Sequence, residues 1–341
     1  MYPTLTYPEA IVVGLVQGVT ELFPVSSLGH NVLIPALVGG RWAIDLNVSR
    51  SESPYLAFIV GMHVATALAM IIYFWRDWLR IIGAFFGSVR HVVMPEPGTD
   101  RFEPQSADQK LAWMIIIATI PVGIAGLALE HTFRVTFSKP KLTAFFLAVN
   151  GLILFAGEWQ RRRGLAAQER QMAADREMAA VGGGARGAGR HSSGQRAVKQ
   201  QEADLAVHAD RRLAAAGFGN ALLLGAMQVF ALMPGISRDG IVMVSGMFRG
   251  LTMQDAARFS FLLSAPVILA AGVLKIPDLT GPLGNGIRGQ VLVGSVLSGV
   301  GAYMALRFFM RYVRDSSRTL VPFAVYCLIF GLASLVYLAV K

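Results

Sequence analysis

Long stretches of this chain contain no lysine, arginine, aspartate or glutamate, among them 53–75, 111–129, 142–157, 213–237, 259–274, 289–306 and 319–340. A helix needs about 20 apolar residues to cross the hydrocarbon core of a bilayer. Backbone at that depth must satisfy its own hydrogen bonds, which leaves helices and closed barrels. Uncharged runs of this length therefore predict an all-α polytopic membrane protein. The charge content agrees: 15% of the 341 residues are charged, against about 25% in an ordinary soluble domain.

The net charge of +10 raises the question of nucleic acid, and its distribution argues against it. Half of the excess falls within 161–212, which holds 11 Lys/Arg and 6 Asp/Glu. No basic face with interleaved aromatics appears elsewhere. The single cysteine, Cys327, excludes a disulfide framework and a thiolate metal cluster. The opening residues, MYPTLTYPEA, lack a basic n-region, so no cleavable signal peptide is expected.

The basic residues give an orientation. With loops 76–110, 161–212, 249–258 and 307–318 in the cytoplasm, that side carries 22 Lys/Arg. Loops 39–54, 130–141 and 275–288 carry 7. Positively charged loops stay inside, and without the long loop the bias is still 11 to 7. Three apolar segments then lie between two cytoplasmic loops, so one must enter and return on the same side. Region 213–248 is interrupted by Pro234-Gly235, and broken backbone at membrane depth is tolerated where it lines a cavity. Region 8–38, interrupted by Pro24, reads the same way. The two resemble each other: Gly14-Leu-Val-Gln17 reaches Ser26 nine residues later, as Gly225-Ala-Met-Gln228 reaches Ser237. Opposed broken hairpins in inverted repeats place a site near the midplane. The organisation expected is a first membrane repeat over 1–160 with a re-entrant hairpin at 8–38, and a second over 213–341 with its hairpin at 213–248. About six helices span. Between the repeats, 161–212 is read as a flexible cytoplasmic insert, with part of 165–180 helical.

Ionisable groups inside membrane segments are costly and usually functional. Glu21 follows Gln17 by one helical turn, so the two share a face and offer oxygens to a hard cation such as Mg²⁺ or Ca²⁺. Ser27 and His30 can meet if a helix begins at 27, which is the pattern of a base-activated hydroxyl. Arg238 is a planar cation suited to phosphate oxygens, with Ser237 and the half-helix N-terminus after Gly235 adding donors. Plainer readings stand beside these. Glu21 can pair with Arg238 alone, Ser26 and Ser27 can be packing residues, and His30 can be a hydrogen-bonded core histidine. Gln17 and Gln228 can satisfy broken backbone, and His63 is read as structural.

The stretch EAIVVGLVQGVTELFPVSSLGH (9–30) resembles the first signature of the undecaprenyl-diphosphate phosphatase family, the bacitracin-resistance type. MPGISRDG (233–240) resembles its second. Similarity continues through ATIPVGIAGL (118–127), AARFSFLLSAPVILA (256–270) and ALRFFMRY (305–312), leaving out 161–212. The resemblance implies a multi-pass enzyme of the bacterial inner membrane that hydrolyses a polyprenyl diphosphate and recycles the lipid carrier of cell-wall synthesis. It implies catalytic roles for Glu21, Ser27, His30 and Arg238, and substrate binding by Gln17, Ser26, Gly235, Ser237 and Arg238. It further implies a divalent cation at Glu21 and Gln17. The attacking group is Ser27 or a water. The site is expected to open to the extracytoplasmic side. Expected partners are the lipid and the bilayer, with a second copy of the chain as a further candidate and no nucleic acid. Where the family continues Ser-Gly-x-Thr, this chain has Asp239-Gly240-Ile241-Val242, and Leu28 stands where the family often has Thr. The alternative function is a polyprenyl-phosphate flippase or small-anion transporter.

Overall fold

The computed structural model describes residues 5–47, 54–95, 100–132, 139–181, 195–274, 286–315 and 317–341. The described residues form helices and no strands. In chain order these are α1 (Tyr7–Leu22), α2 (Ser27–Val38), α3 (Gly40–Asp45), α4 (Pro54–Tyr73), α5 (Trp75–Val93), α6 (Ala107–Thr132), α7 (Pro140–Val181), α8 (Gln195–Met227), α9 (Arg238–Phe248), α10 (Met253–Leu274), α11 (Arg288–Arg314) and α12 (Val321–Val340).

Both predicted breaks are present. α1 is started by a capping box, in which Glu9 accepts from the Thr6 amide and hydroxyl at 2.8 and 2.7 Å. It stops at Leu22, before Pro24, and α2 begins at Ser27. α8 passes into a 3₁₀ turn over Gln228–Leu232, and α9 begins at Arg238, past Pro234-Gly235. The chemistry-bearing residues thus sit at the tips of two helix–loop–helix arms.

Among the described residues six helices are long and apolar enough to cross a membrane, the number expected, with one member of the set exchanged. Arg211–Leu232 qualifies, although α8 is kinked at Gly217 (φ +82°, ψ +164°) before it passes into the 3₁₀ turn. The 53–75 run qualifies only jointly with the next helix, because the chain bends by 84° between Phe58–Tyr73 and Trp75–Val93. After the bend, α5 turns Ile81 and Ser88 inward and leaves Trp75, Leu79, Ile82, Phe86 and Val93 exposed. In the insert, 161–181 prolongs α7 and 195–212 opens α8. The glycine-rich remainder, 182–194, lies outside the described residues.

Small residues set the packing, as they do where lipid offers no hydrophobic drive between helices. α1 lies against α11 through Gly14 and Gly18, where an added Cβ would run into the Gly294 and Ser298 carbonyls. α8 lies against α6 through Gly225, where a Cβ would run into Ala118. Each arm is therefore seated on the opposite half of the chain. The basic rim is tied across helices. Arg258 of α10 pairs with Asp77 of α5 at 3.1 Å, and Arg212 of α8 pairs with Asp255 of α10 at 2.7 Å. Glu158 of α7 binds Arg161 at 2.8 Å and accepts the Leu320 amide at the start of α12 at 3.2 Å.

Candidate functional site

The two arm tips meet inside the bundle. Ser26 caps α2, its hydroxyl accepting the Gly29 amide at 3.2 Å, and it does so from φ +66°, the only described non-glycine residue at positive φ. Such a conformation costs about 1–3 kcal/mol and persists only where surrounding contacts hold it. One such contact comes from the other arm: the Gly235 amide donates to the same hydroxyl at 3.2 Å. Gly235 is itself at φ +114°, and a Cβ there would lie 2.6 Å from the Thr143 carbonyl of α7. Only glycine serves at that point. Ser237 caps α9 as Ser26 caps α2, accepting the Gly240 amide at 3.1 Å. A buried Asn150 on α7 spans both loops. It donates to the Pro24 carbonyl at 2.9 Å and accepts the Ser237 amide at 2.9 Å.

This clamping puts three predicted residues in contact. The Ser27 hydroxyl donates to Glu21, and Arg238 binds the other oxygen of that carboxylate at 2.6 Å. Gln17 donates to Glu21 at 2.8 Å, one turn away on the shared helical face. Glu21 is buried, and a buried ion pair must be well hydrogen-bonded to offset a desolvation cost of several kcal/mol per ion. Here the carboxylate accepts from Ser27 and Gln17 besides the guanidinium. The cluster borders a cavity of about 60 Å³ lined by Glu21, Ser26, Ser27, His63, Ser237, Arg238 and Asp239, with Leu28 and Ile236 as its apolar wall.

His30 lies elsewhere. Its Nδ1 is 2.7 Å from the Ser26 carbonyl and its Nε2 is 2.7 Å from the Tyr326 hydroxyl on α12, with the ring stacked near Phe330. Its three-residue spacing from Ser27 does share a helix, but the imidazole turns outward to α12. The proton acceptor beside Ser27 is Glu21, not the imidazole expected there. The imidazole that lines the cavity belongs to His63, which was read as structural. Its Nδ1 bonds the Ile59 carbonyl at 2.8 Å, and its Nε2 lies 3.5 Å from Glu21 and 3.3 Å from Gln17. Gln228 acts on backbone alone, donating to the Ala118 carbonyl at 3.2 Å.

Asp239 is buried, and one of its oxygens accepts from Ser260 at 2.7 Å and Ser264 at 2.5 Å, both on α10. The other oxygen has no hydrogen-bond partner. The cation site expected at Gln17 and Glu21 does not fit these side chains as arranged. The Gln17 oxygen is taken by Asn31 at 2.6 Å, its nitrogen faces Glu21, and both Glu21 oxygens are occupied. Among the described residues no group of three or more His, Cys, Asp or Glu side chains converges to hold a metal. Chemically, the arrangement offers a hydroxyl that donates its hydrogen bond to a carboxylate, beside a guanidinium whose Nε is unpartnered. Such a set suits attack on an anionic centre.

The profile of the family described as bacitracin resistance protein BacA matches residues 10–333 of this chain. A protein of Mycobacterium avium named undecaprenyl-diphosphatase is 53% identical over 341 residues, covering 100% of both chains. One of the same name from Mycolicibacterium paratuberculosis is 53% identical over 337 residues, 99% of each. One from Acidiphilium cryptum is 34% identical over 330 residues, 96% of each.

Proposed function

The chain belongs to the bacitracin resistance protein BacA family, and from that premise we propose that it hydrolyses undecaprenyl diphosphate in the bacterial inner membrane, releasing phosphate and returning the monophosphate carrier to cell-wall synthesis. The observation that carries the reading is the meeting of Ser27 and Arg238, from opposite arms, on the two oxygens of Glu21.

In this mechanism the terminal phosphate enters the cavity and draws the Arg238 guanidinium from Glu21 to its own oxygens. A planar fork suits them better than an ammonium. Glu21, released from that partner, takes the Ser27 proton as Ser27 Oγ attacks the terminal phosphorus. The bridging P–O bond breaks and its electrons leave with the lipid monophosphate. A water then attacks the phosphoserine phosphorus, the Ser27 Oγ–P bond breaks, Glu21 returns its proton to Ser27 Oγ, and phosphate departs with the water's oxygen and protons. Binding falls to Ser26, Gly235 and Ser237 through the loop backbone they hold, and Gln17 fixes Glu21. His30 acts on the loop from behind, through the Ser26 carbonyl. Mg²⁺ or Ca²⁺ belongs to this reading only as an ion that would arrive on the diphosphate's own oxygens and offset their charge. The steps above do not require it. If turnover survives complete chelation, the cation leaves the mechanism.

We place the opening on the extracytoplasmic side. The ion pairs Arg258–Asp77 and Arg212–Asp255 and the bond from the Leu320 amide to Glu158 tie the helices together at the basic rim, which the positive-inside rule assigns to the cytoplasm. The flippase or anion-transporter alternative shares the phosphate site and separates on one assay. Purified protein in detergent, with no gradient, should release inorganic phosphate from undecaprenyl diphosphate. Binding without release would remove the phosphatase.

A further inference from the structure

Asn150 is an isolated polar side chain in the run LTAFFLAVNGLILFAG (142–157), fully buried, on a helix that belongs to neither arm. A buried amide in a membrane helix is costly unless its hydrogen bonds are made. Here one amide makes both kinds across the site. Nδ2 donates to the Pro24 carbonyl in the loop between Glu21 of α1 and Ser27 of α2, and Oδ1 accepts the Ser237 amide one residue before Arg238. Nδ2 also lies 3.4 Å from the Cys327 thiol of α12. The arms also meet directly through Arg238 and Glu21, a pair that the substrate draws apart in the mechanism above, and through Gly235 to Ser26, which hinges on a single amide and leaves a rotation open. The Asn150 bridge removes that rotation.

We propose that Asn150 is a positioning residue for the phosphatase reaction: it sets the distance between the nucleophile arm and the arginine arm, so that Ser27 and Arg238 address the same phosphorus. The inference rests on the phosphatase reading above. Its chemical content is the polarity of the bridge, one donor and one acceptor carried on a single methylene. A side chain of similar size without that polarity fills the space and loses the register. Positions of catalytic groups matter steeply, since a misplacement of about 1 Å can cost about 100-fold in rate.

The test compares Asn150→Leu with Asn150→Asp in purified protein, measuring kcat and KM for undecaprenyl diphosphate across pH alongside the thermal midpoint. Leucine should lower kcat/KM by at least about tenfold, most of it in kcat, because the reacting groups are misaligned while the phosphate still finds Arg238. Aspartate is informative in a way a packing role would not produce. Protonated, it offers one O–H donor and one acceptor and can restore both bonds. Ionised, it has no donor for the Pro24 carbonyl. The ratio of Asn150→Asp to wild-type kcat/KM should therefore be near one at the acid end and fall as pH rises, while the leucine ratio stays low throughout. The Cys327 thiol and Glu21, Arg238 and Asp239 around the cavity are common to both chains and cancel in the ratio. If both variants lose thermal stability while the folded fraction keeps wild-type kcat/KM at every pH, Asn150 is packing only and the proposal fails. A flat aspartate ratio also overturns it. Should either variant fail to fold, Asn150→Gln, with the same groups on a longer stem, must lower kcat without a pH-dependent ratio. Wild-type protein that releases no phosphate would sink the phosphatase reading itself, a different result from wild-type turnover with unchanged variants.

Discussion

The two arm tips are built alike and equipped differently. In each, a glycine and a glutamine one turn apart lead to a break, and a serine hydroxyl then caps the returning helix: Ser26 to the Gly29 amide, Ser237 to the Gly240 amide. The next residue is Ser27 in one arm and Arg238 in the other. The residue after that is Leu28 or Asp239. Backbone differs too: Ser26 is at φ +66°, Ser237 at φ −80°. A repeated scaffold has been divided into an arm that supplies the attacking oxygen with its base and an arm that supplies the anion's counter-charge. Neither is a site without the other, because the carboxylate of the first is where the guanidinium of the second rests.

This division can be broken from either side. Glu21→Gln removes the base from the first arm while keeping its size and its bond to Gln17. It should cost about 10²–10⁴-fold in kcat/KM, the range of a general base, with normal expression. Activity within a few-fold of wild type would transfer the base role away from the arm altogether. Arg238→Lys keeps the charge of the second arm and discards the fork. A loss of about tenfold or more, 1.4 kcal/mol of transition-state stabilisation, is expected. Near-wild-type kinetics would reduce Arg238 to an ion-pair partner of Glu21. His30→Phe probes whether the first arm holds a second base. With the ring bonded to Ser26 and Tyr326, the loss should stay under about tenfold and lack a new pH limb, below the range of a lost general base. A 10²-fold loss would return His30 to the chemistry. Ser237→Ala should have the smallest effect, about 1 kcal/mol of stability for a helix cap, read from the denaturation midpoint. Ser26→Ala should exceed it, since Ser26 also anchors Gly235. Equal effects would mean that the cross-arm bond contributes nothing.

Much of the site is legible in the chain itself. Gln17 and Glu21 lie four apart, so a helix must stack them, and Pro24 and Pro234-Gly235 mark the breaks without reference to anything else. The serine caps repeat at a fixed offset. The rest depends on contacts between distant segments. His63 precedes no motif and sits in an apolar run, so nothing local distinguishes a histidine aimed at Glu21 from one bonded to its own helix. In the structure it is both. His30 has the right spacing from Ser27, but its direction is settled by Tyr326, 296 residues away. Asp239 stands where the family has serine, and its partners Ser260 and Ser264 come from the next helix. The 84° bend between α4 and α5 has no break residue in the sequence to mark it. The uncharged run 53–75 continues through it, and only the alternation of exposed and buried residues beyond Trp75 betrays the change of direction.

The glycine seats of the arms bear on how the protein is made. α1 leaves the ribosome more than 260 residues ahead of α11, whose Gly294 and Ser298 it must meet. Contacts so far apart in sequence form late, after the loop between them has been closed. Until then, the serine-bearing arm waits in the bilayer with its broken backbone unseated, a condition that lipid punishes. Assembly of the reaction chamber is thus coupled to completion of the polypeptide. A nascent chain released before α11 would carry every residue of both arms and still have no place to hold them.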